Sequence, residues 1–164
     1  MPLRTDAYYR KLAEDALRNA GMSEPPVSLD ALAAVYALPV RRYPFPPFFS
    51  GAIVSVDGMP MALLNGSREE RAARETLAHL LGHLLVILDD PEARFPRDGV
   101  IEHHDAEVVA EELVLPTFMI SEQARKWFND YRYLARLFAV SEGDMLEKMR
   151  DLGLVQDHGI YWDY

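Results

Sequence analysis

The sequence predicts an α+β fold that is mostly helical and has a short antiparallel sheet. Apolar residues recur at intervals of three and four in several segments, which is typical of helices packed on a core. An Asp57-Gly58 dipeptide separates two short apolar runs, which is typical of a β-hairpin. The 164 residues are 49% apolar and 26% charged, as in an ordinary globular domain. We therefore expect one domain over residues 1–164, with a helical C-terminal part at about 117–154.

The chain is predicted to begin with two helices. Residues 6–20 have apolar side chains at helical spacing, and Gly21 is placed to end that helix. Ser28 is a suitable N-cap for a second, short helix that ends before Pro39. Residues 41–49 are rich in proline and aromatic side chains and are expected to cross the surface irregularly.

A hairpin and a long helix are predicted to follow. Residues 51–56 and 59–64 flank the Asp-Gly turn and are the predicted strands. Ser67, with Glu70 three residues later, matches a capping box and predicts a helix over about 67–88. Leucines lie on nearly every face of this helix, so it is predicted to be the buried central element.

The C-terminal half is predicted to be helical, apart from one loop and a terminal strand. The predicted segments are a loop at 91–99, helices at 105–115, 121–129, 131–139 and 141–152, and a strand within 154–164. Pro116 is expected to stop the first of these helices, and Ser141 to cap the last.

Composition excludes several classes of protein. The net charge is −9, which disfavours nonspecific nucleic-acid binding. Residues 131–139 and 142–152 have helix-turn-helix spacing. The segment contains four basic and four acidic side chains and so has no basic face, and direct nucleic-acid binding is not expected. No apolar run is long enough to span a membrane, and no secretory signal pattern opens the chain. Cysteine is absent, which excludes thiolate ligands and is compatible with a cytoplasmic location.

The central predicted helix contains a pair of histidines suited to metal binding. His79 and His83 are four residues apart, so both imidazoles lie on one helical face and can reach a single ion. The next helix would supply a third ligand, either Asp105 or, as a fallback, His104. The alternative is that both histidines are hydrogen-bonded core residues without a metal.

Leu80 separates this pattern from the usual metalloprotease motif, H-E-x-x-H, in which the glutamate is the general base. A leucine cannot accept a proton, and loss of a general base typically costs about 10²- to 10⁴-fold in rate. Glu75, one turn before His79, and Glu102, near the proposed third ligand, are the candidate substitute bases.

Several segments resemble one family. Residues 74–85, which read Arg-Glu-Thr-Leu-Ala-His-Leu-Leu-Gly-His-Leu-Leu, resemble the R-F-T-L-A-H-E-L-G-H-x-L of the ImmA/IrrE family of zinc metallopeptidase-like proteins. Residues 105–116 are similar to that family's E-A-x-x-F-A-x-E-L-L-M-P. Residues 134–141 and 152–154 are similar to its closing L-A-x-x-F-x-V-S and L-G-L segments. The resemblance covers about residues 28–154.

The resemblance implies a zincin-like fold and a zinc site. His79 and His83 match the two histidine ligands, and Asp105 stands where the family has a glutamate ligand. Leu80 stands where the family has its catalytic glutamate. Family members typically act in bacteria and mobile elements, where they cleave helix-turn-helix repressors in the cytoplasm, so the resemblance also implies a role in transcription regulation.

Three hypotheses follow for the function. The first is a metallopeptidase-like pseudoenzyme whose peptidase activity is lost or much reduced. It would act through a regulatory protein partner, such as a helix-turn-helix repressor, and would still hold Zn²⁺. The second is an active zinc-dependent endopeptidase that cleaves such a repressor with an unusual base. The third is a metal-free structural relic.

Overall fold

The computed structural model describes residues 4–90 and 103–155, and these form seven helices and three strands. The mostly helical α+β fold class is confirmed. In chain order the elements are α1 (Asp6–Asn19), α2 (Leu29–Val35), β1 (Val40–Tyr43), β2 (Gly51–Val56), β3 (Met59–Asn65), α3 (Glu70–Asp89), α4 (His104–Val114), α5 (Thr117–Lys126), α6 (Tyr131–Phe138) and α7 (Glu142–Asp151).

The chain divides into two compact units. The first comprises residues 1–22 and 28–113, and it contains the sheet and helices α1 to α4. The second comprises residues 23–27 and 114–164, and its described helices are α5, α6 and α7. The second unit is built around buried apolar residues of its own, including Ile120, Leu134, Phe138 and Met145.

The predicted hairpin is confirmed. Strands β2 and β3 pair antiparallel from Gly51 opposite Leu64 to Val56 opposite Met59. Asp57 and Gly58 connect them with φ angles of 52° and 78°. Positive φ at both central residues is the geometry of a primed turn, whose twist matches that of the flanking strands.

The sheet also contains a parallel edge strand that the sequence did not predict. The strand order is β1-β3-β2, and β1 pairs parallel with β3 from Val40 opposite Ala62 to Tyr43 opposite Asn65. Three of the four side chains of β1 are exposed, so its sequence lacks the alternation that marks a half-buried strand. Backbone pairing with β3 therefore defines this strand, and the three-stranded sheet is mixed.

Asn65, at the end of β3, fixes the chain on both sides of it. Its side chain is 1% exposed, and its Nδ2 donates to the carbonyl oxygens of Phe45 and Pro46 at 3.1 Å and of Phe49 at 2.8 Å. Its Oδ1 accepts from the backbone N–H of Phe45 at 3.1 Å and of Ser67 at 3.0 Å. One buried amide thus satisfies the polar backbone of the irregular segment between β1 and β2.

The predicted capping box at Ser67 is wrong. Helix α3 begins at Glu70, and its N-cap residue, Glu69, makes no capping hydrogen bond with its side chain. The Ser67 N–H is bound by the Asn65 side chain and the Arg68 N–H by the Asn65 carbonyl, so these residues form a turn before the helix. Hydrogen bonds to Asn65, a residue of the preceding strand, therefore hold Ser67 and Arg68 in a turn, and the capping box does not form.

Helix α3 is the central buried element of the first unit, as predicted. It contacts α1, α2, β2 and β3. Seven of its twenty residues are buried: Ala73, Leu77, Ala78, Leu80, Leu81, Gly82 and Leu85.

The other helix boundaries follow the capping side chains. Ser28 and Ser141 accept from the backbone N–H groups of Ala31 and Asp144, which confirms both predicted N-caps. Helix α5 begins directly after Pro116, four residues earlier than predicted, because proline is compatible with the start of a helix. The predicted loop at 91–99, and the predicted terminal strand beyond residue 155, lie outside the described residues. No helix in the described ranges is long and apolar enough to cross a membrane.

Candidate metal centre

His79 and His83 direct their side chains to the same point, as their spacing on α3 predicts. The Nε2 atoms of the two imidazoles lie 3.1 Å apart, and the rings are perpendicular with centroids 4.6 Å apart. Both side chains are partly buried. Helix α3 is held by the sheet and by α1 and α2, so this pair sits on a rigid support.

His103 brings a third nitrogen to this point. Its Nδ1 lies 3.1 Å from the Nε2 of His79 and 3.1 Å from the Nε2 of His83. The three nitrogens form an equilateral triangle, and they are the set of ligand atoms within the described residues that converges closely enough to hold a metal ion. His103 immediately precedes α4, and its carbonyl accepts from the Glu107 N–H at 2.8 Å.

The three imidazole nitrogens are better satisfied by one shared cation than by hydrogen bonds to one another. In a triangle of three imidazole nitrogens, one N–H can point at one partner only, so at least one nitrogen is left without a good hydrogen bond. A cation accepts all three lone pairs together. Nitrogens around a tetrahedral zinc ion, at about 2.0–2.1 Å from it, lie about 3.3 Å apart, which is close to the observed spacing. Three histidines also leave one position open, as in catalytic zinc sites.

The surroundings of His79 and His83 lower the pKa of both imidazoles and so favour the neutral form, which is the form that binds metal. Burial, reinforced by His79 and His103, lowers the pKa of His83 to about 4. Burial and the neighbouring His103 also lower the pKa of His79. The carboxylate of Glu107 acts in the opposite direction on both pKa values.

Gly82 lets α4 approach α3 beside the histidines. A Cβ at this position would lie 2.3 Å from the carbonyl oxygen of Ala106 and 3.1 Å from its carbonyl carbon. Both residues are buried, and Gly82 directly precedes His83. The missing side chain therefore allows the helix that follows His103 to contact the helix that carries the other two histidines.

The other two predicted ligands make different contacts. Asp105 forms a hydrogen bond with the hydroxyl of Tyr9, and burial together with this bond raises the pKa of Tyr9 to about 12. The Nε2 of His104 lies 2.8 Å from Oδ1 of Asp6, and this hydrogen bond raises the pKa of His104. The structure thus brings together His79 and His83 of the predicted set and places both candidate third ligands against α1.

Of the two candidate substitute bases, Glu75 is the one that the described residues include. Leu80 is 7% exposed and belongs to the apolar core, so it offers no proton acceptor. Glu75 is exposed on α3, and Glu102 lies outside the described residues. Glu107 is a carboxylate that sequence reasoning missed, and its charge acts on both His79 and His83.

Sequence reasoning also missed His103, although the signal was present. His103 and His104 are adjacent, and either could precede or open a helix. A helical face can be assigned only to residues inside the helix, and α4 begins at His104. The direction of the His103 side chain was therefore not readable from periodicity.

Comparisons with known proteins agree with this architecture. The model of the peptidase M78 family, described as the IrrE N-terminal-like domain, matches residues 38–150. Among solved structures, a Mycobacterium tuberculosis transcriptional regulator is similar, with a TM-score of 0.62 at 16% identity over 86% of this chain and 46% of that chain. This chain thus spans less than half the length of that regulator. A search of curated proteins gave no match. The chain belongs to the ImmA/IrrE family, as a member whose central motif reads His-Leu-Leu-Gly-His.

Proposed function

We propose that this protein is a zinc-binding regulatory member of its family whose peptidase activity is lost or much reduced. His79, His83 and His103 would hold the ion, and the protein would act by binding a regulatory protein partner. The observation that carries the proposal is the triangle of three imidazole nitrogens at 3.1 Å beside a buried leucine.

The three histidines account for zinc binding and for what the site lacks. Bound zinc would lower the pKa of a coordinated water toward about 7. Peptide hydrolysis also requires a group that takes a proton from that water and delivers it to the leaving amine. Leu80 cannot do either, because its buried side chain is aliphatic and offers no group that accepts or donates a proton.

Metal content tests the zinc site directly. Protein purified without added zinc is expected to contain about one zinc per chain by elemental analysis. The double variant His79→Ala/His83→Ala, and the single variant His103→Ala, are expected to lose it. Asp105→Ala and His104→Ala remove none of the three proposed ligands, so they should still contain about one zinc per chain, and their lost contacts to α1 would lower the affinity for zinc rather than the number of sites. Zinc retained in His103→Ala and lost in Asp105→Ala would replace His103 by Asp105 in the ligand set.

An active zinc endopeptidase is the second candidate. It is favoured by Glu107, the carboxylate whose charge acts on both α3 histidines. Hydrolysis of a helix-turn-helix repressor by the zinc-loaded protein, abolished in His79→Ala and reduced about 10²- to 10⁴-fold in Glu107→Gln, would establish this function. Glu75→Gln tests the other described candidate base, and Glu70→Gln, exposed at the first residue of α3, is the matched control. Cleavage that survives His79→Ala would exclude any zinc peptidase.

The regulatory partner is supported by two findings. The chain belongs to a family that the sequence resemblance associates with repressors, and a solved structure of similar fold is titled a transcriptional regulator. A helix-turn-helix repressor is therefore the partner that we propose. Purified repressor should bind the protein with and without chelator, since the partner would be recognised by the fold rather than by the metal. Absence of binding under both conditions would contradict this part of the proposal.

A further inference from the structure

The first turns of α1 contact the start of α4. Oδ1 of Asp6 lies 2.8 Å from Nε2 of His104, and the Tyr9 hydroxyl forms a hydrogen bond with the Asp105 carboxylate. These two partners on α4 are consecutive, and both directly follow His103. The contacts therefore hold the backbone next to His103, whose side chain supplies the third nitrogen of the candidate metal centre.

The first turn of α1, together with Arg4 just before the helix, also contacts the end of α3. The Arg4 guanidinium is hydrogen-bonded to Asp89, and the Tyr8 hydroxyl donates to the same carboxylate at 2.7 Å. The Arg4 guanidinium also lies 4.9 Å from the centre of the Tyr8 ring. Asp89 is the last residue of α3, six residues after His83.

Helix α1 thus joins the two ends of the segment that separates the ligands. The chain leaves α3 at Asp89 and reaches His103 fourteen residues later, and α1 contacts both of these ends. Fixing a ligand supplied by a residue outside a helix requires neighbours that offset the entropy lost on ordering it.

The contacts differ in strength. The side chains of His104 and Asp6 are 68% and 46% exposed, and an ion pair at that exposure contributes little on its own. Tyr9 is 6% exposed, so its hydroxyl bonds Asp105 in a buried setting where an unpaired partner would be costly. Tyr9 is therefore the stronger of the two contacts to α4, and Asp6 adds to it.

We propose that α1 is a positioning element for the metal site, in which Asp6 and Tyr9 hold the start of α4 and thereby keep His103 against His79 and His83. Neither residue touches the ion. This inference rests on the proposed zinc function, and it assigns a role to a helix that lies before the matched family segment at 38–150.

The test is zinc affinity in the double variant Asp6→Ala/Tyr9→Phe, measured by competition with a chelating indicator. Loss of outer-shell support typically costs about 10- to 100-fold in metal affinity, and we expect a fall in that range. Phenylalanine keeps the buried ring, and alanine keeps the helix. The matched control is Lys11→Ala, which removes an exposed ion pair with Asp15 on the same helix and should leave zinc affinity unchanged.

Two outcomes would overturn the inference. Unchanged zinc affinity in Asp6→Ala/Tyr9→Phe, with a lower melting temperature of the metal-free protein, would show that α1 is structural only. If the wild-type protein binds no zinc, the proposed function fails, and NMR of the metal-free protein decides the inference separately. The imidazole resonances of His103 should then shift in the double variant and stay fixed in Lys11→Ala. Resonances unmoved in both variants would contradict it.

Discussion

Leu80 bears most directly on whether this protein can act as a peptidase. It occupies the position of the general base in the H-E-x-x-H pattern, and it is buried in the apolar core of the first unit. Burial at that position favours an apolar side chain, whereas hydrolysis needs a carboxylate there. Leucine is compatible with the buried position and provides no carboxylate.

Leu80→Glu should restore hydrolysis if the base is the one missing group. The zinc-loaded variant is expected to gain about 10²- to 10⁴-fold in rate on a repressor substrate over the wild-type protein. The variant should also lose stability, because a carboxyl group replaces a buried apolar side chain. Leu80→Gln is the matched control, with the same size and no basic oxygen. A zinc-loaded Leu80→Glu that hydrolyses no faster than Leu80→Gln would show that the site lacks more than a base.

At the scale of helices and strands, the distance between α3 and α4 decides whether the three histidines can reach one metal ion. Gly82 contacts the backbone of Ala106, and a backbone atom cannot rotate away from an added methyl group. His103 immediately precedes α4, so any displacement of α4 would move the proposed third ligand away from the two on α3.

Gly82→Ala should therefore lower both stability and zinc affinity. Overpacking of this kind typically costs about 1–3 kcal/mol, which exceeds the roughly 1 kcal/mol that alanine gains over glycine in a helix. Chemical denaturation and zinc titration would measure the two effects. Gly143→Ala on α7 is the control, because its nearest atom is the Ser141 Oγ at 3.9 Å and the added methyl has space. We expect that control to be neutral or slightly stabilising, and equal behaviour of the two variants would contradict the close contact.

At the scale of the whole molecule, zinc binding would be linked to folding of the first unit. The three proposed ligands are His79 and His83 on α3 and His103 before α4, so an ion that binds all three would tie together two parts of the chain that are distant in sequence. A ligand that binds only the folded state stabilises it in proportion to the logarithm of its concentration over the dissociation constant.

Zinc should therefore raise the melting temperature. At a free zinc concentration 100-fold above the dissociation constant the gain is about 2.7 kcal/mol, or roughly 5–10 °C for a chain of this size. Thermal unfolding followed by circular dichroism, with zinc and with chelator, measures the shift. His79→Ala/His83→Ala should melt at the same temperature under both conditions. A zinc-dependent shift that persists in that variant would place the ion elsewhere.

The sequence by itself determined the fold class, the hairpin at Asp57-Gly58, the central leucine-rich helix and the pairing of His79 with His83. Each of these depends on residues close together in the chain, because turn chemistry and the 3.6-residue period act locally. Position 80 can be read in the same way, because leucine stands there in place of the glutamate of the H-E-x-x-H pattern.

Only the tertiary structure decided the features that depend on distant residues. Strand β1 exists because its backbone pairs with β3, and the start of α3 is set by the buried amide of Asn65. The third nitrogen comes from His103 in the structure, whereas Asp105 and His104 contact α1. From the sequence alone, each of the adjacent residues at the start of α4 is an equally plausible third ligand. The packing of α1 and α4 against α3 distinguishes these residues, because it fixes which side chain faces the two histidines.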